Sequence, residues 1–231
     1  MRFSLSSNAL KVIAILAMLA DHIGFLFFPD QLWWRIAGRL AFPLFAFLIA
    51  EGFERTSNVA RYGKRLILFA AISQLPYSLV LAAVNTPQTL NIFFTLSAGL
   101  LALALLKQLP YKRSVPLVLG IIVLAQSLNF DYGAYGILTI LASHLFIHRR
   151  TVGVVVLLSL PLFSALYLAL AGAIPIQFFA LFTVPLIALY RGARGMHLPR
   201  ALFYWFYPVH LFALWIIWYY LSYVAWSISL S

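Results

Sequence analysis

Three titratable side chains interrupt one apolar stretch near the start of the chain: Lys11, Asp21 and His22 in LKVIAILAMLADHIGFLFF. A helix turns 100° per residue, so the step from Lys11 to His22 closes three turns and puts both on nearly one face, with Asn8, Ile15 and Met18 beside it. His22 then lies roughly 20 Å from the start of that helix. Held in a cavity at that depth, an imidazole can serve as a general base near neutral pH. Asp21 points about 100° away, which prevents it from simply orienting His22 but lets it pair with a guanidinium of the next helix, Arg35 or Arg39. The plainer reading of the same residues is a structural Asp–Arg clamp beside a hydrogen-bonded core histidine.

Further polar groups stand where lipid would penalise them. Arg35 and Arg39 in RIAGR are one turn apart with Gly38 between them, a spacing that suits either an anion-binding pair or interfacial snorkelling. Glu51 closes the run FPLFAFLIAEGF, as a partner for Arg55 or Lys64 or as a secondary site residue. Arg61, Lys64 and Arg65 form a basic strip that suits phosphate groups or anionic lipid. His210 follows Pro208 in FYWFYPVHL, near the expected cytoplasmic side, where a loosened helix exposes polar backbone to a cavity. His144 and His148 have the i, i+4 spacing of a two-histidine metal pair, but they adjoin Arg149 and Arg150 and lack a nearby carboxylate, so no metal is expected. Asn91, Thr95, Asp131 and Tyr132 either cap helices or line an acceptor pocket on the outer side.

These residues are positioned by a chain that is 64% hydrophobic and 9% charged over 231 residues, against about 45–50% and 25% in soluble domains. That excludes an ordinary soluble domain. Apolar runs of membrane-crossing length predict helices near 9 to 28, 37 to 54, 62 to 84, 91 to 107, 114 to 129, 132 to 148, 151 to 171, 175 to 190 and 203 to 226. The expectation is an all-α polytopic membrane bundle of about nine transmembrane helices, eight to ten, forming one domain over residues 1–231. The stretches 114 to 129 and 175 to 190 are short enough to be tilted or re-entrant. The first run follows Arg2 and Lys11 as a signal peptide would, but Asp21 and His22 interrupt it, so it reads as a retained helix.

The net charge of +11 reflects topology rather than nucleic-acid binding. Apart from Arg35 and Arg39, every Lys and Arg falls at the N-terminus or in alternate connections, including Arg55, Lys107, Lys112, Arg113, Arg191, Arg194 and Arg200. The positive-inside rule therefore places the N-terminus in the cytoplasm. Phe27, Phe28, Trp33 and Trp34, and at the other end Trp218, Tyr219, Tyr220, Tyr223 and Trp226, suit the outer interface. The absence of cysteine excludes disulfides, thiolate metal sites and a cysteine nucleophile.

A buried histidine with basic groups at both mouths fits acyl transfer from a phosphate-bearing cytoplasmic donor to an amine or hydroxyl outside. Proton-coupled transporters also hold Asp, His and Arg within helices, so spacing leaves both readings open. The patches LKVIAILAMLADHIGFLFFP, RIAGRLAFPLFAFLIAEGF, Arg61 to Pro76 with ISQLPYSL, NIFFTL and FYPVHL resemble the TraX family of membrane proteins across nearly the whole chain. The resemblance implies an inner-membrane acetyltransferase that uses acetyl-CoA and acts on the amino terminus of pilin. The basic-x10-His stripe of Lys11 and His22 is also similar to the first helix of the membrane acyltransferase-3 class, which acylates extracytoplasmic sugars. That class spaces its paired arginines Arg-x-x-Arg, one residue closer than Arg35 and Arg39.

The combined expectation assigns His22 as general base, Asp21 and Arg39 as its support, Glu51 and His210 as secondary catalytic residues, and Lys11, Arg35, Arg61, Lys64 and Arg65 as the acetyl-CoA side. The expected partners are the lipid bilayer, acetyl-CoA and a pilin or glycan acceptor, with no nucleic acid; self-association stays open. The alternatives are O-acetylation of a surface glycan or lipid-linked sugar, and a non-enzymatic proton-coupled transporter or pilus assembly factor.

Overall fold

The computed structural model describes residues 4–193, 195 and 198–229. Arg2 and Arg194, and the side chains of Arg200 and Trp226, lie outside what is described. The chain runs α1 (Ser7–Phe27), α2 (Leu32–Gly38), α3 (Ala41–Arg55), α4 (Val59–Ala83), α5 (Ile92–Gln108), α6 (Tyr111–Ser127), α7 (Gly133–His148), α8 (Arg150–Leu170), a 3-10 segment (Ile176–Phe182), α9 (Thr183–Ala188) and α10 (Arg200–Ser229). Among the described residues the β structure is limited to two isolated bridges, Leu5 with Tyr190 and Leu90 with Phe130.

Short polar side chains set several helix starts. Ser6 accepts from the Ala9 N–H, Asn58 from Arg61 and Asn91 from Phe93, each satisfying a donor that the first turn leaves free. α3 is the central helix: Ala41, Phe42, Leu44, Ala46, Phe47, Leu48, Ile49, Ala50 and Phe53 bury all its sides. It packs on α1, α5 and α7, while α10 lies against α4 and α1. Of the 18-residue window through α2 and α3, 67% is buried, against 22% for α8.

Large apolar side chains point outward around the bundle, including Leu75, Val123, Phe163, Leu170 and Tyr220, all more than 60% exposed. Contiguous apolar surface on that scale needs lipid around it. Five segments are long and apolar enough to cross a bilayer among the described residues: Ser7–Phe27, Leu32–Arg55, Val59–Ala83, Arg150–Leu170 and Ala201–Ala225. The protein is an all-α, multi-pass membrane bundle.

The helices differ from the sequence expectation in two places that matter for the site. The run expected at 37 to 54 starts earlier and breaks at Arg39 and Leu40, dividing it into α2 and α3. Pro43 sits in the first turn of α3, where its missing N–H costs no helical bond. The run expected at 175 to 190 is a 3-10 segment followed by a six-residue α9, not one continuous span. The helices at 92–108 and 133–148 are apolar but shorter than the five long segments, so nine full crossings are not established.

Candidate functional site

α2 folds back against the end of α1, and the glycines set how close the two come. A Cβ on Gly24 would lie 2.2 Å from the Trp34 Cβ, and one on Gly38 would lie 2.2 Å from the Asp21 carboxylate. With no side chain there, Asp21 reaches both guanidiniums: its Oδ2 accepts from Arg35 at 2.7 Å and its Oδ1 from Arg39 at 2.8 Å. The sequence left Arg35 and Arg39 as alternative partners, and the fold uses both. Arg39 also donates through Nε to the Arg35 carbonyl at 3.2 Å and contacts the Gln177 amide oxygen at 3.5 Å. The Gln177 amide in turn donates to the Tyr135 hydroxyl at 2.9 Å. Sequence reasoning missed Gln177; its signal was a lone amide in an otherwise apolar run.

Beside this clamp, the His22 Nδ1 and the His210 Nε2 are 2.8 Å apart. His210 was expected near the cytoplasmic side, shallower than His22. The contact between the two rings brings His210 to the level of His22 instead. The hydrogen-bond directions follow from the partners. The His210 Nδ1 is 2.7 Å from the Phe206 carbonyl oxygen, which can only accept, so Nδ1 carries the proton. A neutral His210 then offers a lone pair at Nε2, to which His22 donates from Nδ1. Neutral His22 is left with its own lone pair at Nε2, the nitrogen a general base uses.

His22, Asp21, Met18, Asp131, Tyr132 and Tyr207 line a cavity of about 50 Å³, with Gly38, Phe42 and Ile92 among its other walls. That is room for water, and small beside the roughly 300–1,000 Å³ of a ligand pocket. Burial, helped by the nearby Asp21 charge, raises the Asp131 carboxyl to about 6 despite the opposing pull of Arg39. Asp131 and Tyr132 are therefore pocket residues. Asn91 and Thr95 are braces: Asn91 caps α5 and donates to the Ala70 carbonyl at 2.7 Å, and Thr95 donates to the Asp131 carbonyl.

The remaining candidates lie elsewhere. Glu51 accepts from Arg55 at 2.5 Å and from the Tyr190 hydroxyl at 2.6 Å, forming a latch near the opposite end of α3 from Gly38 and the cavity. Arg35 belongs to the Asp21 clamp, not to the basic strip. Lys11 bonds Asn8 at 3.1 Å and sits 4.9 Å above the Phe203 ring; Arg65 lies 5.9 Å from the Tyr204 ring. Lys11 and Arg65 thus flank the start of α10, while Arg61 and Lys64 are exposed. The buried Arg65 Nε has no hydrogen-bond partner among the described residues.

The TraX protein family matches over residues 6–218. The chain belongs to the TraX family. It is similar to the "Probable fimbrial assembly protein FimC, serogroup H1" of Dichelobacter nodosus, at 32% identity over 89% of this chain and 93% of that protein. An uncharacterized protein of Rickettsia prowazekii (strain Madrid E) is 35% identical over 29% of this chain and 25% of its own length. No solved structure matches.

Proposed function

We propose that this TraX-family protein is an inner-membrane acetyltransferase that moves an acetyl group from cytoplasmic acetyl-CoA to an extracytoplasmic acceptor, the N-terminal amine of a pilin. The observation that carries the reading is the directed hydrogen-bond chain Phe206 carbonyl, His210, His22, which leaves the His22 Nε2 as the available base. Membership of a family with a fimbrial assembly relative supports a pilus-related role and favours pilin over glycan as acceptor.

In this reading the acceptor's nitrogen attacks the thioester carbonyl carbon while the His22 Nε2 takes its proton. The imidazolium so formed keeps its Nδ1–H on His210. The carbon–sulfur bond then breaks, and the proton on Nε2 passes to the departing thiolate, so the base is regenerated. The Asp21 clamp fixes two guanidiniums beside the cavity, a positive potential that suits a developing oxyanion. On the donor side, the charges of Lys11, Arg61, Lys64 and Arg65 fit phosphate groups. The basic residues at the ends of α3, α5 and α7 support a cytoplasmic position for that mouth under the positive-inside rule.

The test is purified protein in nanodiscs with radiolabelled acetyl-CoA and a pilin N-terminal peptide. CoA release and peptide labelling that disappear in a folded His22→Ala variant support the enzyme. Neither binding nor turnover of acetyl-CoA by folded wild-type protein rejects it. Labelling of a glycan in place of the peptide leaves the donor chemistry and replaces the acceptor.

A further inference from the structure

A second cavity is larger than the one at His22. A space of about 270 Å³ opens between the ends of α3, α5 and α7, lined by Glu54, Leu103, Leu106, Lys107, His144 and His148. The sequence set aside His144 and His148 as a metal pair because no carboxylate lies near them in the chain. The fold supplies one, 90 residues away: the Glu54 Oε1 is 2.9 Å from the His144 Nε2 and 3.3 Å from the His148 Nε2. One ligand atom from each of the three falls within 4.8 Å of the others.

We propose that Glu54, His144 and His148 bind a divalent first-row transition metal of the zinc class, with a fourth coordination position open to the cavity. Ligands about 2.0–2.1 Å from a tetrahedral ion lie roughly 3.3 Å from one another. Two of the three edges already have that scale, and a rotation of an exposed imidazole brings in the third. The donor set, two imidazoles and one carboxylate, is the borderline nitrogen and oxygen set that zinc accepts. Without an ion, the His144 imidazole donates Nε2–H to the Glu54 carboxylate, and the His148 Nε2 stands 3.3 Å from the same oxygen. On loading, each neutral ring carries its proton at Nδ1 instead, and all three lone pairs turn to the metal.

Lys107 stands on the same cavity wall, with its ammonium 5.0 Å from the Phe53 ring. Its charge opposes the cation, and it also favours an anionic fourth ligand such as a carboxylate or phosphate. Because the site joins the end of α3 to the end of α7, the ion would hold those helices together. It is separate from the His22 cavity and shares none of its lining residues.

The experiment uses tag-free protein in nanodiscs, with Zn²⁺ uptake measured by equilibrium dialysis and Co²⁺ followed by its visible absorption. Wild type and His22→Ala are expected to bind one ion per chain with the same affinity. Glu54→Gln and His148→Ala, each checked for monodispersity, are expected to bind at least about tenfold more weakly and to lose the tetrahedral Co²⁺ bands. His148 is half exposed, so its loss leaves the packed core intact. The proposal is overturned if wild type takes up no Zn²⁺, or if the folded Glu54 and His148 variants both bind as wild type does.

Discussion

Gly38 and Asp21 are in direct contact, packed so closely that a methyl group on Gly38 would meet the Asp21 Oδ1 at 2.2 Å, its Cβ at 2.3 Å and its Cγ at 2.5 Å. The carboxylate cannot yield without releasing a guanidinium. Gly38→Ala is expected to lower stability by about 1–3 kcal/mol through overpacking, and to reduce acyl transfer. Gly120→Ala, where the new methyl meets nothing within 4 Å, is expected to be neutral or stabilising. Thermal unfolding of both variants in nanodiscs tests the contrast; equal effects would refute the contact.

The Asp21 clamp predicts an order. Asp21→Asn leaves two guanidiniums facing each other without their shared carboxylate, whereas loss of either arginine leaves the other paired. The more enclosed Arg39, 11% exposed against 24% for Arg35, contributes more. Expected destabilisation falls from Asp21→Asn, at about 3 kcal/mol, to Arg39→Gln to Arg35→Gln. Thermal midpoints check it, and an arginine variant worse than Asp21→Asn would contradict the shared-carboxylate geometry.

His210 is expected to act through the tautomer of His22. In wild type, ¹⁵N spectra of histidine-labelled protein should show the His22 Nδ1 protonated and its Nε2 bare. His210→Leu removes the acceptor and should mix the tautomers, cutting transfer by about tenfold or more, part of the roughly 10²–10⁴-fold that a positioned base supplies. His210→Gln, which retains an acceptor oxygen, should recover part of that loss. An unchanged His22 tautomer in His210→Leu would separate the two residues functionally.

Asp131 gives the protein a pH-dependent component of stability. Its carboxyl rises from an ordinary 3.8 to about 6, so the folded state holds the proton more tightly than the unfolded chain. The stabilisation is complete below about pH 4 and is lost as pH rises through 6. Asp131→Asn is therefore expected to be more stable than wild type at pH 8, by on the order of 3 kcal/mol, with the gap closing toward pH 4. Parallel thermal-midpoint curves for the two proteins across that range would refute it.

What the sequence by itself determined is what lipid enforces locally. Apolar runs had to become helices because a bilayer leaves no other partner for backbone N–H and C=O groups, and α1, α4, α5 and α7 begin and end within a few residues of the hydropathy boundaries. Asp21, His22, Arg35 and Arg39 stood out because lipid tolerates them only when they face protein or a cavity. Tertiary structure decided who meets whom. Nothing local links His22 to His210 across 188 residues, or Glu54 to His144 across 90, since each contact depends on how two distant helices pack. The split at Arg39, the 3-10 turn that delivers Gln177, and the reach of Tyr190 to the Glu51 carboxylate have the same origin, whereas the Glu51 pair with Arg55, one turn on, was already legible in the sequence. Hydropathy fixes how long a segment stays in lipid, while close packing against other helices fixes its rotation and depth.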